Sequence, residues 1–255
     1  MKFGCLLGKD DDRDLIFSAT KSKFVLPSSD VPDEYHIPEY TPVSNQLSLG
    51  SCVANAVGDA LEILLGVEDP NSVEQISRLH LYYNARSIDH TTDKDDGTYI
   101  RNAIYCLKKL GVCPERAWPY DVTRVFSQPP LSAYKLSLDN KIDAYARIDS
   151  NRADSIESAI RANHPVPFAT AVSSDYVNYY GRDDVVWDPP KSWVGMHAQI
   201  FTGVKRTSNG RLFRVRNSWG ESWGHRGHTW FSEDYVESSR TNDLWIMTRV
   251  PGLIF

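Results

Sequence analysis

The stretch "NQLSLGSCVANAVGDALEILLG", residues 45–66, decides how the rest of the chain is read. Val53, Val57, Ala60, Leu61 and Leu64 fall on one helical face. The spacing predicts a helix of about four turns from Cys52, with Ser51 at its N-cap and Gly66 at its stop. Cys52 then lies in the first turn, where unsatisfied backbone N–H groups and the helix macrodipole favour negative charge and lower a thiol's pKa. Gly50 lets a substrate backbone come close, and the Cys52 N–H can point at a developing oxyanion with Gln46 as a second donor. Alone, a cysteine at a helix start is more often an inert core residue, so a base and a group to orient it are required.

His197 is the histidine that fits. It opens "HAQIFTGV", a run of β character joined through "KRTSNG" to "RLFRVRNSW", with Asn209-Gly210 as the hairpin signal. Antiparallel pairing brings the His197 end of one strand towards the Asn217 end of the other. A two-residue turn at Asn209-Gly210 does not by itself set them opposite, so a bulge or a wider loop is needed. The Asn217 carbonyl would then fix the His197 tautomer, and Trp219 would cover that bond from water. Among the other histidines, His80 lies mid-helix, His36 and His90 in loops, and His164 before a proline. His225 and His228, flanked by glycines, read as a solvated turn.

Composition sets the outer limits. With 255 residues, 41% apolar and 24% charged, the chain suits one large domain or two lobes and excludes disordered and fibrous classes. A net charge of −5 gives no electrostatic reason for a nucleic-acid or anionic-lipid partner, and no apolar run reaches the ~20 residues of a membrane span. The start, "MKFGCLLGKDDDRD", is too short in apolar residues for a secretory signal, so the expected location is the cytosol, or outside by another route. Cys5, Cys52, Cys106 and Cys113 are few for a disulfide framework and lack Cys-x-x-Cys spacing, so no metal site is expected. Cys106 and Cys113 read as small core residues, with a bridge between them left open.

Residues 1–34 carry little periodic pattern and read as an extension lying on the body, which begins near Tyr35. A second helix is predicted over "SVEQISRLHLYYNAR", residues 72–86, where Ser72 and Gln75 have capping-box spacing, and a third over "YIRNAIYCLKKLG", ending at Gly111. Beyond about Pro130 come short β-rich runs, "PVPFATAV", "MHAQIFTGV", "RLFRVRNSW", "HTWFSE" and "LWIMTRV". Helices first and strands afterwards predict an α+β protein, with a mainly helical lobe over residues 35–135 and a β-rich lobe over 136–255.

Three stretches together resemble the papain family of cysteine peptidases. "TPVSNQLSLGSC" is similar to the family's oxyanion-glutamine and nucleophile segment, "GMHAQIFTGV" to its histidine strand, and "VRNSWGESWGHRGH" to its asparagine and tryptophan segment. The resemblance implies a two-lobed fold with Cys52 as nucleophile, His197 as acid and base, Asn217 as orienter, and Gln46 with the Cys52 N–H as oxyanion hole. "DDGTYIRNAI" resembles the family's glycine-rich wall, which makes Gly97 the residue to bond an extended substrate. By the same resemblance Ala169, Ala198 and Met247 line an apolar specificity pocket, with Trp219 beside the site. Val53 departs from the aromatic residue usual after the nucleophile, Leu49 from a disulfide cysteine, and Met196 from a short polar residue. These departures resemble the small disulfide-free bacterial or viral members, without the family's long helical prodomain.

The implied activity is hydrolysis of peptide bonds through a thioacyl-enzyme, with no cofactor and a peptide or protein as partner. A non-catalytic peptide-binding module and a Cys-His acyltransferase or amidase are the alternatives. Within residues 1–34, the run Phe24-Val25-Leu26-Pro27 is the expected inhibitory segment, tethered closely enough to lie in the chain's own cleft and keep a zymogen silent.

Overall fold

A computed structural model describes residues 2–8, 11–17, 32–71, 73–181 and 183–249. Along the chain run β1 (Cys5–Leu6), β2 (Glu34–His36), α1 (Cys52–Glu68), α2 (Arg78–Ser87), β3 (Thr98–Tyr99) and α3 (Ile100–Lys109). They are followed by α4 (Leu131–Ser137), β4 (Ala144–Ile148), α5 (Arg152–Arg161), β5 (Val166–Val172), α6 (Ser174–Val177) and β6 (Val186–Trp187). The last part holds β7 (Gly195–Thr207), β8 (Gly210–Arg216), β9 (His228–Ser232), α7 (Glu233–Glu237), β10 (Thr241–Asn242) and β11 (Leu244–Thr248).

Helix α1 starts at Cys52 as its pattern predicts but runs past Gly66. That glycine is a packing position: a Cβ there would lie 2.0 Å from the Tyr40 ring. Ser51 holds the N-cap position without capping, because its hydroxyl bonds the Tyr120 hydroxyl at 2.6 Å. Helix α2 begins at Arg78, later than the capping-box spacing implies. Its cap is Ser77, whose hydroxyl accepts the His80 N–H. The residues before it stay extended because Glu62 takes the Ile76 amide and Ile76 bridges Pro114. The proposed cap at Ser72 lies outside the described residues.

The main sheet has the order β10-β5-β7-β8-β9-β6, and β2 adds to β7 beyond the end of β5. Strands β4 and β11 form a separate ribbon. His36 therefore belongs to a strand. The β7–β8 turn is Ser208-Asn209, one residue earlier than the Asn209-Gly210 signal, since Thr207 Oγ1 accepts the Asn209 N–H and donates to the Gly210 carbonyl. The expected bulge is present between Phe201 and Gly203. Such a bulge adds twist, which helps curl the sheet around α1.

Charges within the core tie the two halves together. Asp59 and Glu62 of α1 are buried and bond Arg78, while Arg216 at the end of β8 bonds Asp59 at 2.9 Å, Glu39 at 2.6 Å and the Pro42 carbonyl at 2.7 Å. Buried groups of this kind are tolerated only when paired, and losing one partner costs about 3–5 kcal/mol. His228 is part of this network, not of a solvated turn: it is buried, with one ring nitrogen on Glu39 and the other 2.9 Å from the Arg226 carbonyl. The network fixes Arg216, and hence the next residue, Asn217, against the start of α1.

Candidate active site

Residues 45–46 and 218–219 run side by side, with Asn45 bridging Trp219 and the Gln46 N–H on the Ser218 carbonyl at 2.9 Å. This seam carries functional groups from both halves. The Gln46 side-chain oxygen accepts the Ser218 hydroxyl at 2.9 Å and the Trp219 indole N–H at 3.2 Å. Its amide nitrogen must therefore face the other way, where it donates to the Leu49 carbonyl at 2.9 Å and into the cleft.

His197 Nε2 lies 2.7 Å from Asn217 Oδ1. That oxygen also accepts the Ser218 backbone N–H at 2.7 Å, which identifies it as the carbonyl end of the amide. Nε2 therefore carries the proton and Nδ1 the lone pair, the arrangement a base towards a thiol requires. Trp219 stacks on the imidazole with ring centroids 4.4 Å apart and covers the bond. The backbone amide of Ala198, next to His197, points at the Cys52 sulfur, which joins the histidine strand to the head of α1.

The described N-terminal residues lie in this cleft. Strand β1 pairs in parallel with β3, Cys5 opposite Thr98 and Leu6 opposite Tyr99, and the Thr98 N–H donates to the Gly4 carbonyl at 3.0 Å. The Lys2 carbonyl accepts from Gln46 Nε2 at 3.0 Å, and the Lys2 ammonium sits 2.8 Å from Asp95 Oδ2. The Gly4 amide is directed at the Cys52 sulfur. Phe3 packs over Gly195, where a Cβ would come within 2.4 Å of its ring. The expected inhibitory residues Phe24, Val25 and Leu26 lie outside the described residues; Lys2 to Gly8 hold the cleft.

Burial reverses the expected titration. Burial raises the Cys52 thiol in spite of the helix start and the surrounding amides, and burial lowers His197 to about 4 although the Asn217 bond opposes it. The pair is neutral here. Cys106 and Cys113 are free thiols, with no bridge between them, raised by burial to about 12 and about 11, and Cys5 is raised well above its ordinary value.

Gly97 stands at the wall but spends its N–H on the Tyr82 hydroxyl at 3.1 Å, so the group that bonds a chain in the cleft is the Thr98 amide. Its φ of +89° and a virtual Cβ only 2.2 Å from the Gly4 carbonyl oxygen both require glycine. Ala169 and Ala198 are partners across β5 and β7, whereas Met247 is on the β4–β11 ribbon, opposite Tyr145; all three are buried. Among the described residues no cluster of His, Cys, Asp or Glu is arranged to hold a metal ion, and no helix is long and apolar enough to cross a membrane.

Sequence reasoning missed Asp95, Tyr82, Tyr120 and Ser218. Asp95 accepts the Gly50 N–H with both oxygens, at 3.0 and 3.2 Å, and the Tyr82 hydroxyl at 2.8 Å. Tyr120 donates to the Gln46 carbonyl at 2.9 Å. The acidic pair before Gly97 was the one visible signal, and it reads equally as a turn.

The chain as a whole is similar to known proteins. The description "Papain family cysteine protease" matches residues 28–246. An uncharacterized peptidase C1-like protein of Acanthamoeba polyphaga mimivirus is 29% identical over 272 residues, covering 97% of this chain and 87% of the relative. Zingipain-1 of Zingiber officinale is 26% identical over 202 residues, covering 78% of this chain and 85% of its own. Among solved structures, xylellain, a cysteine protease from Xylella fastidiosa, superposes with a TM-score of 0.84 at 28% identity, covering 97% of this chain and 96% of that one. Such agreement along almost the whole length means that the chain belongs to the papain family of cysteine proteases.

Proposed function

We propose that this papain-like cysteine peptidase is an endopeptidase held latent by its own residues 2–8, and that Cys52, His197, Asn217 and Gln46 carry its chemistry. The observation that supports this most directly is the Lys2 carbonyl on Gln46 Nε2: the donor reserved for an oxyanion is already binding a peptide carbonyl. The sulfur meets an amide N–H of the segment, a group it cannot attack.

With the cleft open, His197 Nδ1 takes the thiol proton and the thiolate adds to a peptide carbonyl carbon. The oxygen becomes an oxyanion between Gln46 Nε2 and the Cys52 N–H. The imidazolium gives its proton to the departing amine, leaving a thioester; water then adds as His197 removes its proton, and the acid leaves with the thiol restored. Asn217 keeps the imidazole in the one tautomer that serves both steps. The pairing of Ala169 with Ala198 supports an apolar part of the cleft; Met247, on the other ribbon, would complete it from below.

The test is alkylation by a peptidyl epoxide followed by peptide mapping, beside turnover of a fluorogenic peptide. Cys52 should be the modified thiol, since of the four cysteines it alone heads a helix beside the His197 strand, and Cys52→Ala should abolish turnover. Turnover that survives Cys52→Ala would refute the assignment.

A further inference from the structure

We propose that Asp95 makes this peptidase select a lysine or arginine on the acyl side of the bond it cleaves. The inference rests on the latent-peptidase reading and names the substrate class of the same cleft. Lys2 is the residue whose carbonyl oxygen lies 3.0 Å from Gln46 Nε2, and its ammonium lies 2.8 Å from Asp95 Oδ2. In a substrate, the residue that offers its carbonyl to the oxyanion donor is the one whose acyl group passes to Cys52. Gln46 and Asp95 are therefore one lysine side chain apart. That span belongs to the two protein groups and not to the direction in which a peptide enters.

Asp95 is held rigidly for this role. Its Oδ1 accepts the Gly50 N–H at 3.0 Å and the Tyr82 hydroxyl at 2.8 Å, and the same hydroxyl accepts the Gly97 N–H at 3.1 Å. Gly50 and Gly97 both border the cleft, so the carboxylate is locked to its walls. Oδ2 keeps only a long contact to the Gly50 N–H, at 3.2 Å, and turns its other lone pair to the cation. Among the described residues Lys2 is the ion-pair partner of Asp95 within 4.0 Å. Arg86, in the last turn of α2, is spent on the carbonyls of Thr92, Lys94 and Val125. With Lys2 in place the Asp95 side chain is only 11% exposed; once the segment leaves, Oδ2 loses its cation and faces the incoming residue, where a lysine or arginine replaces that partner.

The experiment compares two peptides identical except for lysine or norleucine before the cleaved bond, using the full chain. The tethered segment lowers both rates by the same occluded fraction, so the ratio of kcat/KM values does not depend on how far the cleft is open. A partly exposed ion pair, worth about 0.5–1 kcal/mol, predicts a preference for lysine of roughly 2- to 5-fold. Asp95→Asn retains an oxygen for Gly50 and Tyr82 but removes the charge, and should bring the ratio close to one. Sequencing the fragments of a denatured protein digested by the unaltered chain gives a second reading, with lysine or arginine expected before the cuts. Equal turnover of the two peptides, or a preference that survives Asp95→Asn, would overturn the assignment and leave the peptidase standing. No cleavage of either peptide, with Cys52 unlabelled by epoxide, would remove the peptidase reading and this inference together.

Discussion

Gly4→Ala places a methyl carbon 1.7 Å from the Gly50 carbonyl oxygen, 2.3 Å from its carbon and 2.7 Å from its Cα. Non-bonded heavy atoms prefer about 3.5 Å, so the segment or the wall must move by well over an ångström. The wall is not free to do so, because Asp95 holds the Gly50 amide with both oxygens. The segment must lift. It then loses the Thr98 N–H bond to the Gly4 carbonyl and the Gln46 bond to the Lys2 carbonyl, both 3.0 Å, together with the Lys2–Asp95 pair. Two hydrogen bonds at about 1 kcal/mol each and a half-exposed ion pair at about 0.5 give about 2.5 kcal/mol, or roughly a 60-fold larger uncovered fraction. The assay is the second-order rate constant for epoxide alkylation of Cys52, measured beside the thermal midpoint. The expected result is a rise of that order, with the midpoint lowered by about 5–10 °C because the same interactions are lost from the folded state. An unchanged alkylation rate in a folded variant would refute the claim that residues 2–8 block the nucleophile.

Gln46→Ala should lower kcat per titrated site by about 10²- to 10³-fold through loss of an oxyanion donor. It should also lower stability by about 1–3 kcal/mol, since the buried Trp219 N–H and Ser218 hydroxyl lose their acceptor; an unchanged urea midpoint would contradict this. A third prediction concerns acid. His197 is at about 4 under the segment against 6.5 for a free imidazole, so uncovering takes up a proton within that window; acid then favours the open form, and the covered form regains its advantage as pH rises through 6.5. Exchange of the Thr98 amide, corrected for its intrinsic rate, should quicken as pH falls below 6.5, and His197→Gln should flatten the trend; a rate that slows with acid would show the sign to be wrong.

The positions whose types carry chemistry were legible early. Helix α1 begins at Cys52 as its apolar spacing requires, each of the β-rich runs contains a strand, and the bulge demanded by the His197–Asn217 geometry is found at Phe201–Gly203. Errors clustered where a side chain competes for a backbone group. Glu62 draws the Ile76 amide out of the expected second helix, Thr207 moves the hairpin turn by one residue, and Tyr120 takes the hydroxyl expected to cap α1. Each rival is distant in sequence or one rotamer away, so no local pattern announces it.

By itself, then, the order of residues determined that a thiol would head a helix, that an imidazole would sit on a strand beside an amide, and that a glutamine would precede the thiol by less than two helical turns. Those are consequences of periodicity and of which side chains donate or accept. Only the tertiary structure decided that this thiol and imidazole are neutral, that Asp95 holds the cleft wall, and that Lys2 to Gly8 rather than a later segment lie over the sulfur. The reason is physical: desolvation and close packing depend on what the rest of the chain places nearby. Gly4 is 48 residues from Cys52 along the chain, yet in the fold its amide faces that sulfur.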